Sequence, residues 1–306
     1  MLEYPKNQLE FERQFSTEES CRKYLTALRW PNGFQCPKCK NEGKWDQSRN
    51  RITCAQCRHE TSVLAGTLFH GSHLSLSQWF RAAWWVTNQK HGVSALGLQR
   101  TLGIGGYKTA WTVLQKLRRA MVRQGRDLLS GDVEVDETFV GGSVPGKRGR
   151  GAEGKKLVVI AAEIDGKKIG RIRMRHIPNA SAQSLEGFIT SSITRGSGLV
   201  TDQWGGYNGV RALGYRHETV DGEVVGIDEV VPRVHRVASL LKRWLMGTLH
   251  GRFEPKHLNR YLEEFTFRFN RRTSNYRGLL FYRLLENSVV ADPVPFSKII
   301  DASAPA

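Results

Sequence analysis

Acidic residues are scarce in this chain: 29 Asp and Glu stand against 46 Lys and Arg, giving a formal net charge of +17 and a pI near 9.9. That imbalance points to a polyanionic partner, nucleic acid being the commonest; a basic but otherwise ordinary enzyme is the alternative. No run of about 18 apolar residues occurs, which excludes a membrane-spanning helix on length. The first fifteen residues, MLEYPKNQLEFERQF, hold three Glu and no apolar core, which does not fit a secretory signal, so an intracellular location is expected. Cysteines are few and odd in number, five, and four of them form two C-x-x-C pairs. This pattern argues against a disulfide framework and for metal binding in a reducing compartment. Cys21 is the one left over.

What is present reads as several modules, since 306 residues suffice for one large core plus one or two small ones. The segment RWPNGFQCPKCKNEGKWDQSRNRITCAQCRHETSVLAGTLFH carries Cys36, Cys39, Cys54 and Cys57, with residues 40–53 between the two knuckles. That spacing suits a four-Cys zinc ribbon, because each knuckle brings two thiolates to one tetrahedral ion and the polar stretch between them has the length of a β-hairpin. Too few large apolar residues lie there to form a core, so a bound Zn²⁺ would contribute folding energy on the order of 10 kcal/mol. A redox role is the alternative for a lone C-x-x-C, and two pairs at this spacing argue against it. Downstream, LSQWFRAAWWVTNQKHGVSALGLQRTLGIGGYKTAWTVLQKLRRAM predicts three helices, the second ending at Gly103 and hinged to the third at LGIGG. This is the pattern of a helix-turn-helix; an unspecialised three-helix packing module is the alternative.

From residue 131 the character changes. GDVEVDETFVGG reads as a buried strand stopped by Gly141 and Gly142, yet Asp132, Glu134 and Asp136 recur at every second position and therefore share one face. Burying an unpaired carboxylate is costly, so either a positive group or solvent must meet that face. KKLVVIAAEI and KKIGRIRMRHI predict two further strands joined by DGKK, SAQSLEGFITSSI a helix with Ser181 as its N-cap, and GLVTD a fourth strand ending at Asp202. Helices near 233–249 and 257–272 are expected to close the chain, and the tail DASAPA to be disordered. The result is a mixed α/β layer architecture. Asp136 and Asp202, on adjacent strands, could share divalent cations, since Mg²⁺ favours one or two carboxylates plus phosphate and a pair of ions about 4 Å apart activates a water and stabilises the leaving oxygen of a phosphodiester. Strand-end turn formation is the alternative for both. The segment PGKRGRGAEGKK, with Lys147, Arg148 and Arg150 among glycines, suits a flexible loop lying on a nucleic-acid backbone, or a merely soluble hairpin tip.

The order of ribbon, helical module, VDETFVGG, VTDQWGGY, LLKRWLMGTLHG and HLNRYLEEFTFRFNRR resembles a prokaryotic insertion-sequence transposase of the DDE type, in the group of insertion-sequence family 1595. The resemblance covers nearly the whole chain, and YLEEFTFRFNRR is its most specific part. It implies an RNase-H-like mixed sheet with flanking helices over residues 129–290, preceded by a zinc ribbon with an N-terminal helix at 1–70 and a helix-turn-helix-like DNA-binding module at 71–128, with a flexible tail at 291–306. It implies recognition of terminal inverted repeats, cleavage using Mg²⁺ or Mn²⁺, attack of the freed 3′-hydroxyl on target DNA, a homo-oligomeric synaptic complex, no membrane, and a cytoplasmic location at the nucleoid. By resemblance Asp136 is the first catalytic acid, Asp202 the second, Lys242 the following basic residue, and Glu264, Arg268 and Arg271 a Glu-Arg-Arg signature. These last three share one helical face at i, i+4 and i+7; they form a solvated salt bridge or, with Asn270 and Arg272, a DNA-facing surface. Glu134 and Asp132 receive no role.

The match is imperfect at the third catalytic position, where many DDE enzymes have Glu or Asn and this chain has His235. On a helix, Val234, Val237, Leu241, Trp244, Leu245 and Thr248 cluster on one side while His235, Ser239 and Lys242 share the opposite one, so His235 is expected outside the core. Imidazole suits Mn²⁺ better than Mg²⁺ and can also position a water or a phosphate. The alternatives are a decayed third site or a third ligand at Glu229 or Glu264. Two other functions remain open, a DNA-binding regulator derived from an inactive transposase and a nuclease of the same fold that cuts without joining.

Overall fold

The computed structural model describes residues 2–46, 51–123, 125–141, 155–226, 229–249 and 253–301. It divides into two compact units, Met1–Arg123 with Thr273–Asp301, and Gln124–Arg272. In chain order the first unit begins with α1 (Gln8–Gln14), α2 (Glu18–Arg29), the small sheet β1 (Lys44–Asp46), β2 (Arg51–Cys54) and β3 (Glu60–Ser62), then α3 (Leu76–Asn88), α4 (Ala95–Leu102) and α5 (Tyr107–Ala120). The second unit holds β4 (Asp132–Val140), β5 (Lys156–Asp165), β6 (Lys168–Ile177), α6 (Ala182–Ser192), β7 (Gly198–Thr201), a 3₁₀ segment (Gly205–Arg211), β8 (Arg216–Thr219), α7 (Gly222–Val225), α8 (Pro232–Leu249) and α9 (Leu258–Phe269). The chain then returns to the first unit as α10 (Gly278–Val290) and α11 (Phe296–Ile300).

In the first unit, local chemistry sets the helix boundaries. Thr17 and Ser20 form a capping box at the start of α2, Ser75 and Gln78 another at α3, and Gly103 ends α4 in the left-handed region at φ 60°. Glu18 reaches across to accept the first N–H groups of α3, Leu76 N at 2.5 Å and Ser77 N at 3.0 Å. Phe11, Phe15, Phe80, Trp84 and Phe281 meet ring to ring, with centroids 4.7 to 5.8 Å apart, and form the core of the unit.

Phe281 belongs to α10, and this corrects the expected boundaries. The catalytic span does not run to 290, because α10 is tied into the first unit by Asn287 Nδ2 donating to Ala120 O at 2.9 Å and by Leu68 N donating to Ser288 O at 3.1 Å. Nor is the stretch from 291 structureless throughout, since α11 buries Ile299. Two helices were expected after the strands and, among the described residues, five follow, α7 to α11; an apolar stripe such as Leu280, Phe281, Leu284 and Leu285 states that a helix is buried but not which neighbour buries it.

The second unit is a five-stranded mixed sheet in the order β6-β5-β4-β7-β8, with β6, β5 and β4 antiparallel and β4, β7 and β8 parallel. Alternation along the strands separates two apolar layers. Val158, Ile160 and Ala162 pack with Val234, Val237, Leu241 and Trp244 of α8 and with Leu262 and Phe265 of α9. Val133, Val135, Val159 and Ala161 pack with Leu185, Phe188 and Ile189 of α6 and with Tyr207. The mixed sheet with flanking helices that the sequence led us to expect is thus present, and the apolar face expected for α8 is the face it buries.

Candidate active site and metal centre

The four knuckle cysteines converge, with their sulfur atoms all within 4.8 Å of one another. Each knuckle is a tight turn closed by a residue in the left-handed region: Lys40 at φ 63° donates its N–H to Cys36 O, and Arg58 at φ 58° donates to Cys54 O. Sulfur separations are 3.7 Å for Cys36 to Cys57 and 3.4 Å for Cys39 to Cys54. A tetrahedral ion about 2.3 Å from each sulfur requires separations of about 3.8 Å, so the set fits zinc closely. The Cys57 backbone N–H, hydrogen-bonded to Cys54, draws the Cys54 thiol down to about 6, toward the thiolate a metal needs. Among the described residues, Phe34, Ile52 and the half-buried Trp30 pack around the cluster. Cys21 is fully buried on α2, where burial pushes its thiol up to about 12, and it takes no part in the cluster.

In the second unit the first two of the alternating acids of β4 each meet an arginine and the third meets a histidine. Asp132, exposed, pairs with Arg216 at 3.1 Å. Glu134 is 2% exposed and accepts three hydrogen bonds: Arg233 Nη1 at 2.7 Å, Arg233 N at 2.7 Å and Val234 N at 3.0 Å. These are the first N–H groups that α8 offers, since Pro232 at its start has none, so Glu134 satisfies orphan donors and lies at the favourable end of the helix dipole. Arg233 is held in turn by the carbonyls of Gly166 and Lys168, so the start of α8 is bolted to both β4 and the β5–β6 turn. The next acid, Asp136, then lies 3.4 Å from His235 Nε2, and its Oδ1 accepts the Glu137 N–H at 2.7 Å.

Asp202 follows β7 directly. The parallel register pairs Glu134 with Val200, so two residues further along Asp136, in the middle of β4, lies beside Asp202, just past the end of β7, in a sheet whose strands run about 4.8 Å apart. Asp202 Oδ1 accepts the Trp204 N–H at 3.0 Å, and Thr201, fully buried, donates to Asp202 O at 2.7 Å while meeting His217 Nε2 at 2.9 Å. A further acid converges here that sequence reasoning passed over: Glu137 Oε2 accepts the Tyr207 hydroxyl at 2.9 Å. Burial, then the charges of Glu137, Asp136 and Asp202, drive the Tyr207 hydroxyl well above its usual range, so this phenol stays a donor. Lys242 is lowered by burial and by Lys155, against which the charge of Asp136 raises it. Asp136 thus feels both His235 and Lys242, two turns apart on α8.

Other expected residues fall elsewhere. Glu264 is 1% exposed and paired with Arg268 at 2.9 Å, itself nearly buried, which makes an internal ion pair rather than an exposed DNA-facing row. Arg271 stacks on Phe267 and Arg272 on Phe269, while Arg272 also donates to the carbonyls of Gly170 and Ile169. Asn270 exchanges two hydrogen bonds with the backbone of Ile172, and Asn259 accepts from His176 N, so α9 closes the outer edge of β6. Glu229 is exposed. Lys147, Arg148 and Arg150 lie outside the described residues. Glu134 could have been found in the sequence, since it shares the face of Asp136; what the sequence could not show is that Arg233 covers it.

Residues 128–270 match the family model described as an ISXO2-like transposase domain, and residues 16–60 match a transposase zinc-ribbon domain. The chain is 27% identical over 282 residues to a protein of Halobacterium salinarum described as an "Uncharacterized protein in transposable element ISH50", with 84% of this chain and 92% of that one covered. These matches define the class: a transposase with a DDE domain. Residues 128–270 thus carry the DDE domain, and residues 16–60 the zinc ribbon, of transposases of the insertion-sequence 1595 group. No described helix is long and apolar enough to cross a membrane.

Proposed function

We propose that the protein binds the terminal inverted repeats of its own mobile element, hydrolyses phosphodiester bonds there and joins the freed 3′ ends to target DNA. The observation that carries this reading is the juxtaposition of Asp136 and His235, 3.4 Å apart, beside the strand end that bears Asp202. Asp136 and Asp202 form a hard oxygen donor set that fits Mg²⁺ or Mn²⁺, and His235 adds a nitrogen that favours Mn²⁺. Divalent ions at such a site supply an activated water and charge stabilisation at the leaving oxygen. The chain's own groups do the remainder. Asp136 and Asp202 are held in orientation by the N–H groups of Glu137 and Trp204, His235 orients water or phosphate, and Lys242 offers a cation to the scissile strand. The basic chain holds the DNA backbone, Lys147, Arg148 and Arg150 included, and two or more copies pair the element's ends. Glu264 and Arg268 support this scaffold from within α9, and Arg271 lies next to them.

Incubating the purified protein with Mg²⁺ or Mn²⁺ and DNA bearing the terminal repeats tests the reading. Joined products support it; nicks without joining indicate a nuclease, and bound but uncut DNA a regulator.

A further inference from the structure

The first unit carries a cavity of about 550 Å³ that no step above uses. It opens on the outward face of α5, where Lys108, Thr112 and Lys116 follow at successive turns with Thr109 beside them. One wall is the turn at residues 70–74, fixed by Gly71 in the left-handed region at φ 65° and by Ser72 Oγ, which accepts from Trp79 Nε1 at 2.8 Å and from Leu74 N at 3.2 Å. The other is residues 293–296, where two prolines lock φ and the centroid of the Phe296 ring lies 4.1 Å from Lys108 Nζ. Trp79, Val113 and Val294, each at most 5% exposed, make the floor apolar. Among the described residues no Asp or Glu lines the cavity, while two lysines and two histidines do. Lys116 is half-buried; burial holds its ammonium below the ordinary lysine range, and among the described residues Nζ has neither a hydrogen bond nor an ion pair. A half-buried ammonium without an acceptor is destabilising, and a bound anion would offset that. Other donors stand nearby. Thr109 keeps its hydroxyl free among the described residues, whereas Thr112 donates to Lys108 O at 2.7 Å. His70 Nδ1 accepts from Gly66 N at 3.3 Å, which leaves its Nε2–H to donate. No side chain caps the first turn of α5, so N–H groups at the positive end of its dipole lie at Lys108 and Thr109.

We infer that this cavity takes a phosphate monoester, its dianion held between Lys108 and Lys116 with the Thr109 hydroxyl, and its carbon body laid on the apolar floor. Three features select that guest. Two ammonium groups match a monoester, which carries about two negative charges at neutral pH, better than a phosphodiester, which carries one. Eight residues of helix separate Lys108 from Lys116 by about 12 Å, an interval that two lysine side chains close around one phosphate. Walls on both sides admit a terminal or free phosphate, whereas the phosphodiesters of a duplex lie along a convex backbone. The volume, within the range of small-ligand sites, exceeds a phosphate alone and leaves room above Val113 and Val294 for the group it esterifies. Such a phosphate has two sources: the 5′ end of a DNA strand, which hydrolysis that frees a 3′-hydroxyl also generates, and a small phosphorylated compound. Binding here needs nothing from Asp136 or Asp202.

The test uses the full chain with its zinc and no added Mg²⁺ or Mn²⁺, so that binding is read without cleavage. Two probes cover the two sources. Short fluorescent oligonucleotides, identical except for a 5′-phosphate or a 5′-hydroxyl, are titrated by anisotropy, and deoxyribose 5-phosphate is titrated by calorimetry. A site that takes DNA ends should bind the 5′-phosphorylated strand about tenfold more tightly, the scale of one charge-assisted hydrogen bond. One that takes free compounds should bind the sugar phosphate saturably, and dimethyl phosphate, a diester, should not compete. In either case Lys116→Met should remove the effect, bringing both strands to one affinity and abolishing the calorimetric signal. Lys116→Arg, which keeps the charge, should retain most of it. The melting temperature of Lys116→Met should not fall, because the half-buried ammonium it removes has no partner among the described residues, so loss of binding is not loss of fold. Equal affinity for both strands together with no saturable binding of the sugar phosphate overturns the inference, as does a preference that survives Lys116→Met, or competition by dimethyl phosphate equal to that of the monoester. Cleavage of terminal repeats in Mg²⁺, measured separately, reports on the strand-processing reading and is independent of this result.

Discussion

In the ribbon, the thiols of two facing pairs stand 3.4 and 3.7 Å apart, with Phe34, Ile52 and Trp30 as their apolar company among the described residues. In the sheet, Asp136 sits on a strand whose two faces are each covered by a packed apolar layer, and its neighbours Asp132 and Glu134 carry their own Arg partners. Under the proposed function both places offer ligands to a cation, but the order of cause is reversed. The ribbon's fold is expected to depend on a bound ion, because like-charged thiolates repel and few apolar side chains pack against them among the described residues. The sheet is held by hydrocarbon, so its carboxylates can be placed before any ion arrives and kept there by counter-charges. A metal that builds structure and a metal that does chemistry therefore call for different surroundings.

The largest expected effect breaks the ribbon side of that comparison. Chelation, or Cys54→Ser, should unfold the ribbon, since a structural zinc contributes on the order of 10 kcal/mol to such a module. Metal analysis should give one zinc per chain. A ribbon that keeps its structure without metal would show that Phe34, Ile52 and Trp30 suffice.

On the sheet side the contrary is expected. Asp136→Asn or Asp202→Asn should cut cleavage by several orders of magnitude, because a lost ligand removes both nucleophile activation and leaving-group stabilisation, while the melting temperature changes little. Near-native cleavage by either variant would displace the assignment. DNA binding, measured in parallel, should persist.

Glu134 divides the two effects and sharpens the comparison. Glu134→Ala leaves Arg233 and two N–H groups of α8 without their acceptor, and should destabilise the second unit by about 3 kcal/mol, with loss of cleavage following the displacement of His235. Asp132→Ala, which removes an exposed pair, should cost no more than about 0.5 kcal/mol. Denaturant titration of the two variants would separate the buried acid from the exposed one; equal costs would show that the Glu134 contacts do not anchor α8.

These three acids also show where the sequence stops being informative. Their common face followed from strand periodicity, and the α8 stripe of Val234, Val237, Leu241 and Trp244 followed from helical periodicity; both are local rules, and both faces stand in the structure. Cys spacing was as legible, because a knuckle is a local turn. What periodicity cannot supply is the partner. Nothing local distinguishes Glu134, covered by Arg233 from 99 residues away, from Asp136, which faces His235 at the same separation. The same limit hid the place of α10, whose Phe281 packs with Phe11 and Phe80, and turned the exposed-looking pair Glu264 and Arg268 into an internal one.

The smallest effect concerns Lys242, where stability and chemistry should respond to pH with opposite signs. Burial and Lys155 lower its ammonium below the ordinary lysine range, although Asp136 opposes them. Between the folded and unfolded values the unfolded chain binds the more protons, so this group's contribution makes stability rise with pH across that window. Cleavage should fall across the same window, because the neutral amine no longer offers a cation to the scissile strand. Lys242→Arg keeps the charge throughout, so its alkaline limb of activity should move to higher pH, while Lys242→Met should lose the limb and lower the rate at all pH values. A pH–rate profile of single-turnover cleavage for the three proteins, beside their melting temperatures, reads both signs at once. An alkaline limb that stays in place in Lys242→Arg would assign it to another group and leave Lys242 only a backbone contact.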